Sequence, residues 1–363
     1  MLRSKPVVVL HVEPTEKGAA PIQLARSARL PGIQVGRGLA SLLVVLFHTE
    51  VIFKAYLGSV SSAGLFGFGH AGVDFFFVLS GFILFWVHRG DVGDAGRVAA
   101  YARKRFRRVY PPYWVAFTLV LAGLLLSPGT GRPFDTQPGT ILSNLALLPD
   151  PRGMTLTVAW TLSYEILFYI LFGILIARPR VGMPLLALWV TGALLLHGHA
   201  RFPWSFVFSV YPVHFALGAS VAAAVARWRI PFPGPLGLIG AVVFIVLGLN
   251  EHTIAHPWID WAYAAASAAV IAGLAGVDLA GTFRWPGLAR VIGDASYSIY
   301  LVHYPVLSVV VKIFRRFGSW LPSSLLFLIT VSLAVGGGVV FHRLIELRLI
   351  TTRAARQRDN GAV

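Results

Sequence analysis

The stretch VGRGLASLLVVLFHTEVIF, residues 35–53, decides the fold. A run of apolar and small residues of this length reads as a membrane-spanning helix, yet it carries an arginine and a histidine. Eleven residues separate Arg37 from His48, about three turns at 3.6 residues per turn, so the two share a helix face with His48 roughly 16 Å deeper. An imidazole at mid-bilayer is costly. Ionisable groups at that depth usually face a polar interior and mark a pathway or a site of chemistry.

The rest of the chain has the same character. Hydrophobic residues make up 56% of the 363 and charged residues 13%, about half the charged share of a soluble domain. The fold class expected is therefore all-α, a polytopic transmembrane helical bundle. Cysteine is absent, which removes disulfides, thiolate nucleophiles and cysteine metal sites. Any covalent route must use Ser, His or a carboxylate. The first 36 residues are basic and polar, and their one apolar run, VVVLHV, is shorter than a signal-peptide core. That segment reads as a cytoplasmic tail.

Apolar windows near 38–57, 69–88, 113–127, 158–177, 182–197, 206–226, 236–250, 258–277, 295–313 and 321–342 predict about ten spanning helices. With both termini inside, 24 of the 31 Lys and Arg residues fall on the cytoplasmic side, as the positive-inside rule demands. Three of the exceptions, Lys312, Arg315 and Arg316, cluster after the ninth window. The net charge of +16 needs no nucleic acid, because anionic lipid headgroups account for basic cytoplasmic loops. One transmembrane domain is expected at 33–347, between basic tails at 1–32 and 348–363. The run at 129–154 has turn residues followed by an apolar stretch too short to span, so it either lies at the outer surface or dips in as a lid.

The second window, HAGVDFFFVLSGFILFW, holds His70 and Asp74 one turn apart. The fourth, AWTLSYEILFYILF, puts Glu165 at a depth similar to Asp74, so His48, Asp74 and Glu165 can meet. The ninth, SYSIYLVHYPVL, presents Tyr297, Tyr300, His303 and Tyr304 at helical spacing, a stripe suited to the same cavity. Each has a plainer reading. Asp74 and Glu165 can serve as interhelical hydrogen bonds that only hold the bundle together. His214 and His197 read first as packing or interfacial residues, and Gly72, Gly81 and Ser80 as points of close helix approach.

The run YARKRFRRVYPPYW carries five cations between Arg103 and Arg108, broken only by Phe106. A positive-inside anchor explains two or three of them. The density suits an anionic ligand as well, a coenzyme A thioester or a lipid headgroup, since arginine makes bidentate phosphate contacts.

Together, RGLASLLVVLFH, GVDFFFVLSGF, KRFRRVYPPYW, WTLSYEILFY and SYSIYLVHYPV resemble, in order and spacing, the successive motifs of the acyltransferase 3 family of integral membrane proteins, over about 33–347. The resemblance implies transfer of acyl groups, often acetyl from acetyl-coenzyme A, to hydroxyls of exopolysaccharide, O-antigen, lipid-linked sugars and related acceptors. It implies a multi-pass protein of the bacterial cytoplasmic membrane, working with polysaccharide-assembly proteins, with no bound cofactor or metal. The family's first-helix Arg and His match Arg37 and His48, and its arginine motif matches Arg105, Arg108 and Pro111. The acidic residue usual before that Arg is missing, and IQVGRG at 33–38 resembles members that decorate exopolysaccharides. No esterase-like domain is expected after the membrane domain, which leaves the acceptor to the bundle or a partner.

The residue types suggest the chemistry. A neutral imidazole within hydrogen-bond reach can take the proton of a sugar hydroxyl as it attacks a thioester carbonyl, which makes His48 the candidate base. Glu165 or Asp74 would orient the ring, as a third group does in catalytic triads. Arg37, Arg105 and Arg108 are the candidates for binding acyl-coenzyme A. Trp160, Ser163, Tyr297, Tyr300 and His303 are expected to line the cavity, and Tyr297, Ser163 or Trp160 can donate to an oxyanion. A covalent route through His48 or Ser80 is the alternative to direct transfer. The competing class is a proton-coupled secondary transporter or glycan exporter, against which stand the arginine density and the lack of duplicated, broken helices.

Overall fold

The computed structural model describes residues 30–58, 64–251, 253, 258–317 and 321–350. The basic segments 1–29 and 351–363, which make up most of the two expected tails, lie outside the described residues. Ten apolar helices carry the fold: α1 (Pro31–Leu57), α2 (Gly72–His88), α3 (Val98–Leu126), α4 (Trp160–Ala177), α5 (Pro179–Leu196), α6 (Tyr211–Arg227), α7 (Pro233–Leu249), α8 (Ile259–Ala280), α9 (Ser296–Phe317) and α10 (Ser323–Phe341). Every window expected from the sequence holds one of them. Among the described residues nine stretches are long and apolar enough to cross a bilayer, and α7 is apolar but 17 residues long.

The first helix sits in the middle of the bundle, against α2, α8, α9 and α10. That position suits its sequence, since Val44, Val45 and Phe53 are fully buried and a helix apolar all round belongs inside. In contrast, α7 packs on α8 through Gly237 and Gly240 and turns Leu238, Ile239, Val242 and Val246 outward, as a lipid-facing helix should. In lipid, helices associate by close packing rather than by a hydrophobic drive, which favours small residues at contacts. The tightest contact joins α2 and α6: a Cβ on Gly81 would stand 2.0 Å from the Phe215 carbonyl oxygen, and one on Gly218 1.7 Å from that of Val78. Gly81 is thus the point of close approach anticipated from the sequence.

Successive helices alternate in direction, so α1, α3 and α9 begin at one face, called the N-face here, and α2, α4 and α6 begin at the other. One local feature departs from the sequence reading, and another falls on one of its two alternatives. The basic run before Pro111 is helical and belongs to α3, which continues through Pro111 and Pro112 to Leu126. Each proline removes one i→i−4 bond, but a long helix held on both sides absorbs the loss. The 129–154 segment dips inward. Its short helix, Pro138–Leu145, ends against the middle of α3, where Tyr113 Oη donates to the Asn144 carbonyl at 2.8 Å, Trp114 Nε1 to Leu145 at 2.9 Å and Tyr110 Oη to Ala146 at 3.2 Å. Irregular backbone at membrane depth survives only where its polar groups are satisfied, and three aromatic donors do this here.

Candidate active site

A cavity of about 370 Å³ opens between α1, α2, α3, α4 and α9. Its wall reaches from Gln34, Lys104 and Ser296 near the N-face to Thr161 and Tyr300 at mid-depth. The helical state of the basic run decides which cations face it. Arg105, buried, and Arg108, half-buried, lie three residues apart on the face of α3 toward the cavity, and the exposed Lys104 reaches its wall, whereas Arg103 and Arg107 are exposed and do not line it. With Arg37 from α1, four cations meet a single wall carboxylate, Glu165. Among the described residues no carboxylate lies within ion-pair distance of Arg37, Lys104, Arg105 or Arg108.

Each arginine is held by neutral groups. Arg37 donates to Gln34 Oε1 at 2.8 Å, one turn earlier. Arg105, 8% exposed, donates through Nη2 to His88 Nε2 at 2.7 Å, and its guanidinium lies over the Tyr101 and Tyr169 rings. Its Nε is buried without a partner. The His88 Nδ1 proton goes to Asp91 at 2.7 Å, so Asp91 and His88 fix Arg105 in turn. Arg108 lies over the Tyr297 ring, whose hydroxyl donates to the Val109 carbonyl at 3.0 Å. Four cations against one carboxylate around a cavity of this size inside a membrane protein make an anion site. The inner end is apolar, with Val73, Phe76 and Phe77.

Beyond that inner end lies a histidine pair. His303 Nδ1 donates to the Tyr300 carbonyl at 2.7 Å, which leaves its Nε2 as an acceptor. His48 Nδ1 sits 3.2 Å from that Nε2 and 3.0 Å from the Val44 carbonyl, both acceptors. The network therefore assigns the His48 proton to Nδ1 and the lone pair to Nε2. Among the described residues none bonds His48 Nε2, and the ring is part-buried rather than sealed. His48 does not itself line the cavity. Tyr300 does, with its ring 5.8 Å from that of His303 and its hydroxyl on Thr161 and Val158.

The structure separates several residues that the sequence reading grouped. Asp74 is hydrogen-bonded to His214 Nε2 at 2.9 Å, both buried, and His70 bonds Glu251 instead of sharing a site with Asp74. Glu165 faces the cavity and accepts from the Tyr169 hydroxyl. Neither carboxylate is hydrogen-bonded to His48, so the expected meeting of the three does not occur. Alternating directions and unequal loops set helix depth, which a count of residues from one end misses. Tyr297 and Tyr300 line the cavity with Arg37, Arg105 and Arg108, whereas Trp160 and Ser163 line a second one at the opposite face. Sequence reasoning missed His88, Asp91, Gln34 and Lys104 as supports of the cationic wall. It also missed Glu346, buried near that wall and bonded to Ser298 and His342. The i, i+3 spacing of His88 and Asp91 was the one available signal.

The chain as a whole is similar to known proteins. The exopolysaccharide production protein ExoZ of Rhizobium meliloti (strain 1021) is 28% identical over 318 aligned residues, covering 82% of this chain and 94% of ExoZ. Acyltransferase MdmB of Streptomyces mycarofaciens is 26% identical over 381 residues, covering 90% of this chain and 94% of MdmB. No solved structure is significantly similar. Residues 30–343 match the acyltransferase domain of the acyltransferase 3 family, a span that takes in the cationic cavity and the histidine pair alike. The chain belongs to this family and is a multi-pass membrane acyltransferase.

Proposed function

We propose that the protein carries an acyl group, acetyl first among candidates, from acyl-coenzyme A to a hydroxyl of a saccharide acceptor such as exopolysaccharide, O-antigen or a lipid-linked sugar. The observation that carries the donor half is the cavity wall, with four cations and one carboxylate. A coenzyme A molecule brings phosphates for Arg37, Lys104, Arg105 and Arg108 and an unbranched pantetheine arm for the apolar inner end. With the N-face cytoplasmic, the donor enters from the side where it is made, in a protein of the bacterial cytoplasmic membrane. The acceptor half rests on relatives, one named for exopolysaccharide production and one named an acyltransferase.

In this reading His48 Nε2 takes the acceptor hydroxyl proton as its oxygen attacks the thioester carbon. The tetrahedral intermediate collapses with cleavage of the carbon–sulfur bond, and the imidazolium returns its proton to the departing thiolate. His303, bonded to His48 Nδ1, orients the ring in the place given to Asp74 or Glu165 by the sequence. Direct transfer leaves no acyl-enzyme. The test is coenzyme A release from acetyl-coenzyme A by purified protein in nanodiscs, with and without crude envelope glycan, for wild type and His48→Ala. Release that needs both glycan and His48 is expected. Full activity in His48→Ala removes the residue from the mechanism, and no donor binding at all returns the protein to the transporter reading.

A further inference from the structure

A second cavity, about 210 Å³, lies at the face opposite the cationic one, between the first turn of α4 and the segments 149–154 and 202–206. We propose that it is a saccharide subsite holding one sugar unit of the acceptor, with Trp160 and Phe206 against the ring and Asp150 and Ser205 on its hydroxyls. The inference rests on the acyltransferase reading and adds to it where the acceptor binds.

The chemistry of the wall separates this cavity from the first. Aromatic rings are its main surface, Trp160, Tyr164, Phe202 and Phe206, with Tyr164 and Phe206 stacked at 4.1 Å. No Lys or Arg lines it, and its one charged wall residue is Asp150, so a phosphate-bearing ligand is disfavoured where a neutral polyol is not. Sugars offer C–H faces that pack on aromatic rings and hydroxyls that bond polar tips, the mixture that an amphipathic pocket takes. The tips are free. Among the described residues none accepts from the Trp160 indole N–H and none bonds the Ser205 hydroxyl. Asp150 is held in place by Arg152, whose Nη2 and Nε donate to its two oxygens at 2.7 and 3.0 Å. The same contacts keep the Asp150 carboxyl below the usual carboxylate range, so it stays an anionic acceptor of hydrogen bonds through mild acid.

Position argues the same way. Trp160, Ser163 and Tyr164 line the second cavity while Thr161, Leu162 and Glu165, interleaved on the same helix, line the first. The two cavities thus stand back to back across one turn of α4. Tyr300 ties that turn to the histidine pair, through its hydroxyl on Thr161 and its carbonyl on His303. A sugar in the second cavity thus approaches α4 from the side opposite the cationic cavity.

The test uses the full chain in nanodiscs and, as probe, extracellular glycan of the source cells freed of its esters by alkali and cut to short oligosaccharides. Binding of these fragments is measured directly, by calorimetry without donor, for wild type, Trp160→Ala, Asp150→Asn and the conservative Trp160→Phe. Trp160→Ala and Asp150→Asn should weaken binding about tenfold or more, and Trp160→Phe less, because the ring face survives. The half-saturating acetyl-coenzyme A concentration in the same variants should stay within about twofold, which separates a lost subsite from a misfolded protein. Glycan binding within about twofold of wild type in both Trp160→Ala and Asp150→Asn overturns the proposal, as does wild type that binds no fragment. The binding arm needs no turnover, so failure of the acyltransferase reading shows separately, as absence of coenzyme A release.

Discussion

Arg105 owes its orientation to a histidine and an aspartate that do not touch the cavity. His88 can accept from Arg105 only because its own proton is committed to Asp91, so a change at Asp91 should reach the donor through two hydrogen bonds. If the proposed donor site is right, Arg105→Ala and Arg108→Ala raise the half-saturating acetyl-coenzyme A concentration about tenfold or more with a smaller effect on maximal rate, as residues that bind without reacting do. Asp91→Asn should raise it less, by a few-fold, and steady-state kinetics over a range of donor concentration checks all three. Which arginines matter was half legible in the sequence. Five cations between Arg103 and Arg108 announce an anion site or an anchor, but only a helix running through Pro111 and Pro112 turns Arg105 and Arg108 inward and Arg103 and Arg107 outward. The pairing of Asp74 with His214 was not legible at all, because their contact depends on how deep α6 sits against α2.

That depth is fixed at the scale of the helix pair. Gly81 and Gly218 leave the α2 and α6 backbones so close that even one methyl group has no room, with the Gly218 position the tighter at 1.7 Å. Gly218→Ala must push α6 away from α2 and carry His214 away from Asp74. Overpacking of this kind costs about 1–3 kcal/mol, sometimes more, so a lower melting temperature in detergent is expected, by several degrees. Gly123→Ala, where an added Cβ meets nothing within 4 Å, should leave it unchanged. Sequence windows placed all ten helices, because apolar length is a local property. The inward dip of 138–146 was left open between surface and lid, because it depends on Tyr110, Tyr113 and Trp114 supplying donors from another helix. Tyr113→Phe removes one of those donors from a buried carbonyl and should loosen the segment, read as faster amide exchange over 138–148 with α3 unaffected.

Across the whole molecule, two cavities approach the same turn of α4 from opposite faces, one cationic and one aromatic. A barrier made of Thr161, Tyr300 and Phe77 stands where they come nearest. Such an arrangement suits a reaction whose two substrates live on different sides of a bilayer. The family match explains why the motif spacing carried so much of the reading: each motif contributes one wall of a site assembled from α1, α2, α3, α4 and α9.

The pairing of α1 with α9 has a consequence in time. His48 meets His303 across the two helices, and Gly38 meets Gly293 of the short helix Gly287–Asp294 just before α9, so partners 255 residues apart in the chain close the centre of the bundle. A ribosome delivers α1 into the membrane long before α9 exists. Throughout that interval the first helix holds its imidazole only on its own Val44 carbonyl, and the nascent chain lacks the partner that His303 supplies. The site is complete only near the end of synthesis, so a chain interrupted at any earlier helix leaves in the membrane a fragment that lacks one of its walls.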